Sequence, residues 1–118
     1  MSEKEKESIN EYAVGNFATI MRMKLSKNNH KSHWSESDNE CLLGRMSEEI
    51  TELKEAIASG DRDRIIFEAA DVANFAMMIA DNAATYCQGC GAWIPDSNAT
   101  MCDSCDAQCQ QFYNRGKL

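Results

Sequence analysis

The sequence predicts an all-α protein, a helical bundle with a small cysteine-rich appendage, and three observations carry that prediction. Apolar residues recur at helical spacing from Ile9 to about Thr85. Turn-forming residues interrupt that pattern in only two places, Asn28–Ser37 and Ser59-Gly60-Asp61. After Thr85 the composition changes sharply, and five of the six cysteines crowd between Cys87 and Cys109. The helical domain is therefore expected to span residues 1–85 and the cysteine-rich tail residues 86–118.

Met1–Ser8 is charged and reads as a frayed start. Ile9, Tyr12, Ala13, Phe17, Ile20, Met21 and Leu25 then mark helix one, ending near Ser26–Asn29. His30, His33 and Trp34 fall in the loop that follows. Ser37-Asp38-Asn39-Glu40 matches a capping box, a serine followed three residues later by glutamate. Helix two is expected from about Asp38 to Ala58, with Leu42, Leu43, Met46, Ile50, Leu53 and Ile57 inward. Gly60 stops it and Asp61 can cap helix three, expected over roughly Arg62–Thr85. Ala69, Ala70, Ala73 and Ala76 permit close helix packing there, and the short connection makes helices two and three antiparallel neighbours.

A formal net charge of −7 opposes a general nucleic-acid binder, which needs a basic face for phosphates. The basic residues are unevenly placed, however. Arg22, Lys24, Lys27 and Lys31 fall in a stretch without any acid, a strip that suits a polyphosphate better than a nucleic-acid backbone. No charged-then-apolar leader opens the chain and no apolar run approaches the roughly 20 residues of a membrane span. The expected setting is cytoplasmic, in a bacterial cytosol or a phage-infected host.

The chemistry-bearing residues are acids. Glu48, Glu49 and Glu52 sit on helix two, and Glu68 and Asp71 on helix three. Glu49 with Glu52, and Glu68 with Asp71, are i,i+3 pairs, each on one helix face. They lie among residues expected in the core, where facing acids repel unless a cation binds. A hard ion that prefers oxygen ligands, magnesium, fits. Glu40 and Glu55 read as solvated surface.

The pattern Glu48-Glu49-x-x-Glu52, then Glu68-x-x-Asp71 after fifteen intervening residues, resembles the signature of the all-α nucleoside triphosphate pyrophosphatases. The likeness is to the MazG-like branch, including its short bacteriophage versions, and covers roughly Phe17 to Asp81. Met23-Lys24-Leu25, Lys31-x-His33-Trp34 and Glu68-Ala69-Ala70-Asp71-Val72-Ala73-Asn74 share it. The resemblance implies the helical bundle of that type and magnesium-dependent hydrolysis of an NTP or dNTP to the monophosphate and pyrophosphate, with manganese as a possible substitute. It makes Glu49, Glu52, Glu68 and Asp71 the metal ligands, and Glu48 either a holder of a second ion or the acceptor of the attacking water's proton. Lys24, Lys27 and Lys31 could pair with phosphate, Trp34 could stack on a base, and Asn74 could donate to phosphate or sugar. For Trp34 a core or interface anchor, and for Asn74 a satisfied interface polar group, are the competing readings. The expected partners are a nucleoside triphosphate and a second copy, as a homodimer or homotetramer, with no nucleic acid and no membrane. The alternative is a non-catalytic nucleotide- or protein-binding module that uses its tail for partner contact.

In the tail, Cys87-x-x-Cys90 and Cys102-x-x-Cys105 form two knuckles around the chain's single proline. Four such thiolates suit a closed, structural zinc site. Cys109 could replace Cys105 or stay unligated, and Cys41 reads as a small core residue. The stretch Asp106–Tyr113 is compatible with a short helix.

Overall fold

Ser2 opens the first helix: its hydroxyl accepts from the Glu5 amide at 3.2 Å, and Glu3 and Glu5 in the first turn face the positive end of the helix dipole. Helix α1 accordingly runs Glu3–Ser26. The segment expected to fray is helical because it has a cap and well-placed charge. The computed structural model describes residues 1–94 and 101–105, which fall in two units, Met1–Asn82 and the described part of Ala83–Leu118.

After α1 the chain makes turns and a short 3-10 helix, Trp34–Glu36, whose N-cap is His33. Helix α2 follows over Asn39–Ser59, and its cap is Asp38, which accepts from the Cys41 amide at 2.7 Å. The expected capping box on Ser37 is thus displaced by one residue. Ser37 is instead the extended end of the 3-10 turn, and the Asp38 carboxylate serves the same orphan amides. Gly60 ends α2 with φ 74, a left-handed conformation that would strain any side chain, and its amide returns to the Ala56 and Ile57 carbonyls. Asp61 then caps helix α3, Arg62–Ala83, through the Arg64 amide at 3.2 Å.

The α2–α3 hairpin is antiparallel, and its register is visible in cross-helix contacts. Glu55 pairs with Arg64 at 3.6 Å, Arg45 lies over the Phe75 ring, and Asn39 accepts from Asn82 at 3.5 Å. As one number falls the other rises in step. This register selects the inner line of α2: Leu42 and Ala56 are buried, and Glu49 lies between them at seven-residue spacing. Leu43 and Ile57, expected inward, are 53% and 59% exposed. They sit about 100° round the helix from Leu42 and Ala56, and one apolar stripe alone can face the partner helix.

Helix α1 buries no residue completely, and its Ile9 and Tyr12, also expected inward, are exposed. It is tied to α3 by Asn74, whose side-chain amide donates to the Met21 carbonyl at 3.1 Å. The 3-10 segment is tied to the far end of α3. Trp34 donates its indole N–H to Asp81 at 2.8 Å, and Asn82 donates to the Trp34 carbonyl at 3.2 Å.

In the second unit, strands β1, Thr85–Tyr86, and β2, Trp93–Ile94, pair antiparallel with Thr85 opposite Ile94 and Tyr86 opposite Trp93. The reading of Asp106–Tyr113 as a helix and the role of Cys109 lie outside the described residues. Among the described residues, no helix is long and apolar enough to cross a membrane.

Candidate active site

The hairpin register brings acids together. Glu49 on α2 and Glu68 and Asp71 on α3 each offer a carboxylate oxygen, and these oxygens lie within 4.8 Å of one another. One oxygen of Glu49 and one of Glu68 are buried without any hydrogen-bond partner. Such orphaned buried oxygens are costly, and a bound cation is the simplest way to satisfy them. The donors are all oxygens and none is a thiol or imidazole, the set that a hard divalent ion prefers. Glu52 is exposed at the edge of the cluster, and Glu48 is exposed and outside it.

The electrostatics follow from this crowding. Burial first, then hydrogen bonding to and the charge of Glu52, then the charges of Asp71 and Glu68, push the Glu49 carboxyl up to about 7. Glu68 is raised by burial, by Glu52 and by Asp71, with Lys24 partly offsetting. Without a cation the cluster therefore holds protons near neutrality. Folded Glu49 keeps its proton between its ordinary 4.5 and about 7, whereas the unfolded chain releases it. That contribution to stability is present below pH 4.5 and is lost as pH rises through about 7. In EDTA, the melting temperature of the wild type relative to Glu49→Gln is expected to fall across this window in thermal scans. A divalent ion that binds these oxygens should reverse the fall. A difference between the two proteins that is flat with pH would contradict the assignment of this shift to Glu49.

One cation is already part of the site. Lys24 on α1 places its Nζ 3.2 Å from Asp71 Oδ2 and 5.8 Å from the centre of the Phe67 ring. Lys27, the C-cap of α1, is exposed, and so is Lys31. Asn74 is 4% exposed, and its amide is committed to Met21 one turn before Lys24. This tie between helices is the interface reading of Asn74, and it fixes the stretch of α1 that carries Lys24.

About one helical turn from the acids is a cavity of about 220 Å3 lined by Leu25, Lys31, Trp34, Leu42, Arg45 and Phe75 among others. Arg45 is one turn before Glu49 on α2, and Phe75 one turn after Asp71 on α3, roughly 6 Å in each case. Trp34 is half-buried at this cavity, 4.0 Å centre to centre from the His33 ring, with its N–H held by Asp81. The indole is thus an anchor as well as part of the wall. Sequence reasoning missed Arg45 and Asp81. Asp81 falls seven residues after Asn74, and Arg45 four before Glu49, so helical spacing held the signal for both.

The second cluster comprises Cys87, Cys90, Cys102 and Cys105, with sulfurs all within 4.8 Å of one another. The amides of Cys102, Cys90 and Gly89 pull the Cys87 thiol down to about 6 against its burial. Hydrogen bonding to the sulfurs of Cys102, Cys90 and Cys87 pushes Cys105 up to about 12. Cys41, expected in the core, is exposed on the first turn of α2.

A helical hairpin that gathers acidic side chains beside a cavity fits one class: the all-α nucleotide pyrophosphohydrolases that include the MazG-like enzymes. Residues 14–83 match the family model described as phosphoribosyl-ATP pyrophosphohydrolase. That span holds all of α2 and α3 and more than half of α1, and the chain belongs to this family of hydrolases acting on nucleotides. No curated protein and no solved structure matches the chain.

Proposed function

We propose that the protein is a magnesium-dependent pyrophosphohydrolase that cleaves an NTP or dNTP between the α and β phosphates, releasing pyrophosphate and the monophosphate. The observation that carries this reading is the convergence of Glu49, Glu68 and Asp71 oxygens, two of them buried and orphaned, in a chain of a pyrophosphohydrolase family. Glu49, Glu68 and Asp71 would hold the ion, with Glu52 completing the set from the rim. When bound, a magnesium or manganese ion supplies charge neutralisation at phosphate oxygens and lowers the pKa of water.

The chain's own residues do the rest. Lys24, whose Nζ is 3.2 Å from Asp71, would turn to the phosphates, and Asn74 positions the stretch of α1 that carries it through Met21. Lys31, and Lys27 beyond it, add positive charge along the polyphosphate. The cavity walled by Trp34, Phe75 and Leu42 receives the base, with the indole held in place by Asp81. Exposed Glu48, beside Glu49 in sequence, takes the proton of the attacking water.

The chain works as a homodimer or homotetramer in this reading. Ile9 and Tyr12 of α1, three residues apart on one face, are 52% and 72% exposed, an apolar surface a second copy would cover. The cofactors are magnesium at the carboxylates and zinc at the four cysteines, and the protein acts in the cytoplasm without nucleic acid. The test is pyrophosphate release from a panel of canonical and modified NTPs and dNTPs, with phosphoribosyl-ATP included, in magnesium and in EDTA. Magnesium-dependent release with the monophosphate as co-product is expected. Tight nucleotide binding without release from any substrate would replace this reading by a non-catalytic binding module.

A further inference from the structure

No step of pyrophosphate release uses the unit that follows α3, yet four of its side chains are arranged for chemistry. Its strands are two residues each, and among its described residues only Cys87 and Ile94 are buried, at 2% and 8% exposed. Tyr86 and Trp93, the two large aromatic side chains of the hairpin, are 43% and 50% exposed. A two-residue ladder is not stable by itself, and two buried side chains make a slight core for the described residues. A further tie is needed to hold them.

The cysteines show what that is. The Cys90 and Cys102 sulfurs are 3.8 Å apart. A disulfide would need about 2.05 Å. The edge of a tetrahedron of thiolates around an ion with bonds of about 2.3 Å is about 3.8 Å. Backbone geometry agrees. The Gly89 amide donates to Cys87 Sγ at 3.3 Å, and the Cys87 amide and carbonyl close the turn with Ala92 and Gly91 at 2.8 and 2.9 Å. A Cβ at position 89 would stand 3.0 Å from Cys105 Sγ, so the first knuckle admits the second only because Gly89 has no side chain.

We infer that Cys87, Cys90, Cys102 and Cys105 form a closed tetrahedral zinc site and that zinc binding and the folding of this unit are a single event. It extends the zinc assignment above and is independent of the nucleotide chemistry. With four protein sulfurs there is no open position for water, so the ion is structural and cannot serve hydrolysis. Iron shares this geometry, but zinc binds such a site more tightly than ferrous iron, and hydrolysis requires no electron carrier. The two metal clusters are separated by ligand chemistry: oxygen donors for the hard ion, thiolates for the soft one. Thiolate–zinc bonding can supply the folding free energy that burial does not.

The test uses the full chain. The purified protein is expected to hold about one zinc per chain, and cobalt in its place should give the visible absorption of a tetrahedral tetrathiolate centre. Stripping zinc with a chelator under reducing conditions should collapse the backbone NMR amide dispersion of Thr85–Ile94, and re-adding zinc should restore it. Cys90→Ser should lower the zinc content about tenfold or more, while Cys41→Ser leaves it at one. If Cys90→Ser does not fold, the wild-type cobalt spectrum and the stripping experiment still decide. Red, redox-active iron, two disulfides in the non-reduced mass, no metal at all, or dispersed tail amides after stripping would each overturn the inference. None of these readouts depends on pyrophosphate release, so this inference and the proposed reaction can fail separately.

Discussion

Glu49→Gln is expected to lower kcat/KM for pyrophosphate release by about 10²–10³-fold or more while raising the melting temperature of the metal-free protein above pH 7. Both effects come from one carboxyl. An ion bound by oxygen ligands is worth several kcal/mol of charge stabilisation in the transition state, and each 1.36 kcal/mol or so is tenfold in rate. In the proposed reaction Glu49 is one of the ligands, so removing its charge would weaken the hold on that ion. In the metal-free protein the same charge is a liability, because it is held above its ordinary range by burial and by Glu52, Asp71 and Glu68. A neutral amide of the same shape relieves that repulsion. Asp71→Asn should lose activity similarly, and in addition releases Lys24, whose Nζ stands 3.2 Å away. Steady-state kinetics beside thermal scans in EDTA would check both halves. Activity within tenfold of wild type in both variants would remove these residues from the site. An unchanged melting temperature in Glu49→Gln would instead mean that the cluster is not strained without metal.

Leu42→Ala is expected to cost about 2–5 kcal/mol in urea unfolding. Leu42 is 1% exposed and is the largest fully buried side chain among the described residues, so little else can close the space it would leave. A domain of this size has roughly 5–15 kcal/mol in total. The same truncation opens the wall of the cavity one turn from Arg45, so base selectivity should broaden in the fraction that remains folded. Leu43→Ala is the comparison. At 53% exposed it should cost under about 1 kcal/mol in an isolated chain. A cost equal to that of Leu42, with a midpoint that depends on protein concentration, would mean that a second copy covers the outer stripe of α2. A small cost at Leu42 itself would refute the helical register.

The helices were legible because their signals are local. Gly60 after the last apolar turn of α2 and Asp61 before Arg64 mark a helical hairpin wherever they stand, since their roles are played within four residues. The i,i+3 pairing of Glu68 with Asp71 is of the same kind. The faces were less legible. Leu42 and Leu43 are adjacent and equally apolar, and nothing local says which is buried. Only the contact of α2 with α3 selects the line through Leu42, Glu49 and Ala56. The start of α1 was misread because charge at Met1–Ser8 suggests fraying, although the Ser2 cap and the acidic first turn were there to be weighed.

By itself, then, the sequence determined the all-α class, the order of the three helices, the acids and thiols that could bind metal, and the family signature they form. These are matters of residue type and short spacing. The tertiary structure decided which acids converge, leaving Glu48 outside and Glu49 among partners more than eighteen residues away. It also turned Asn74 to Met21, Trp34 to Asp81 and Lys24 to Asp71. The reason is physical. A donor's partner is set by what packing brings within about 3 Å, and across helices that distance depends on register, which no single segment encodes.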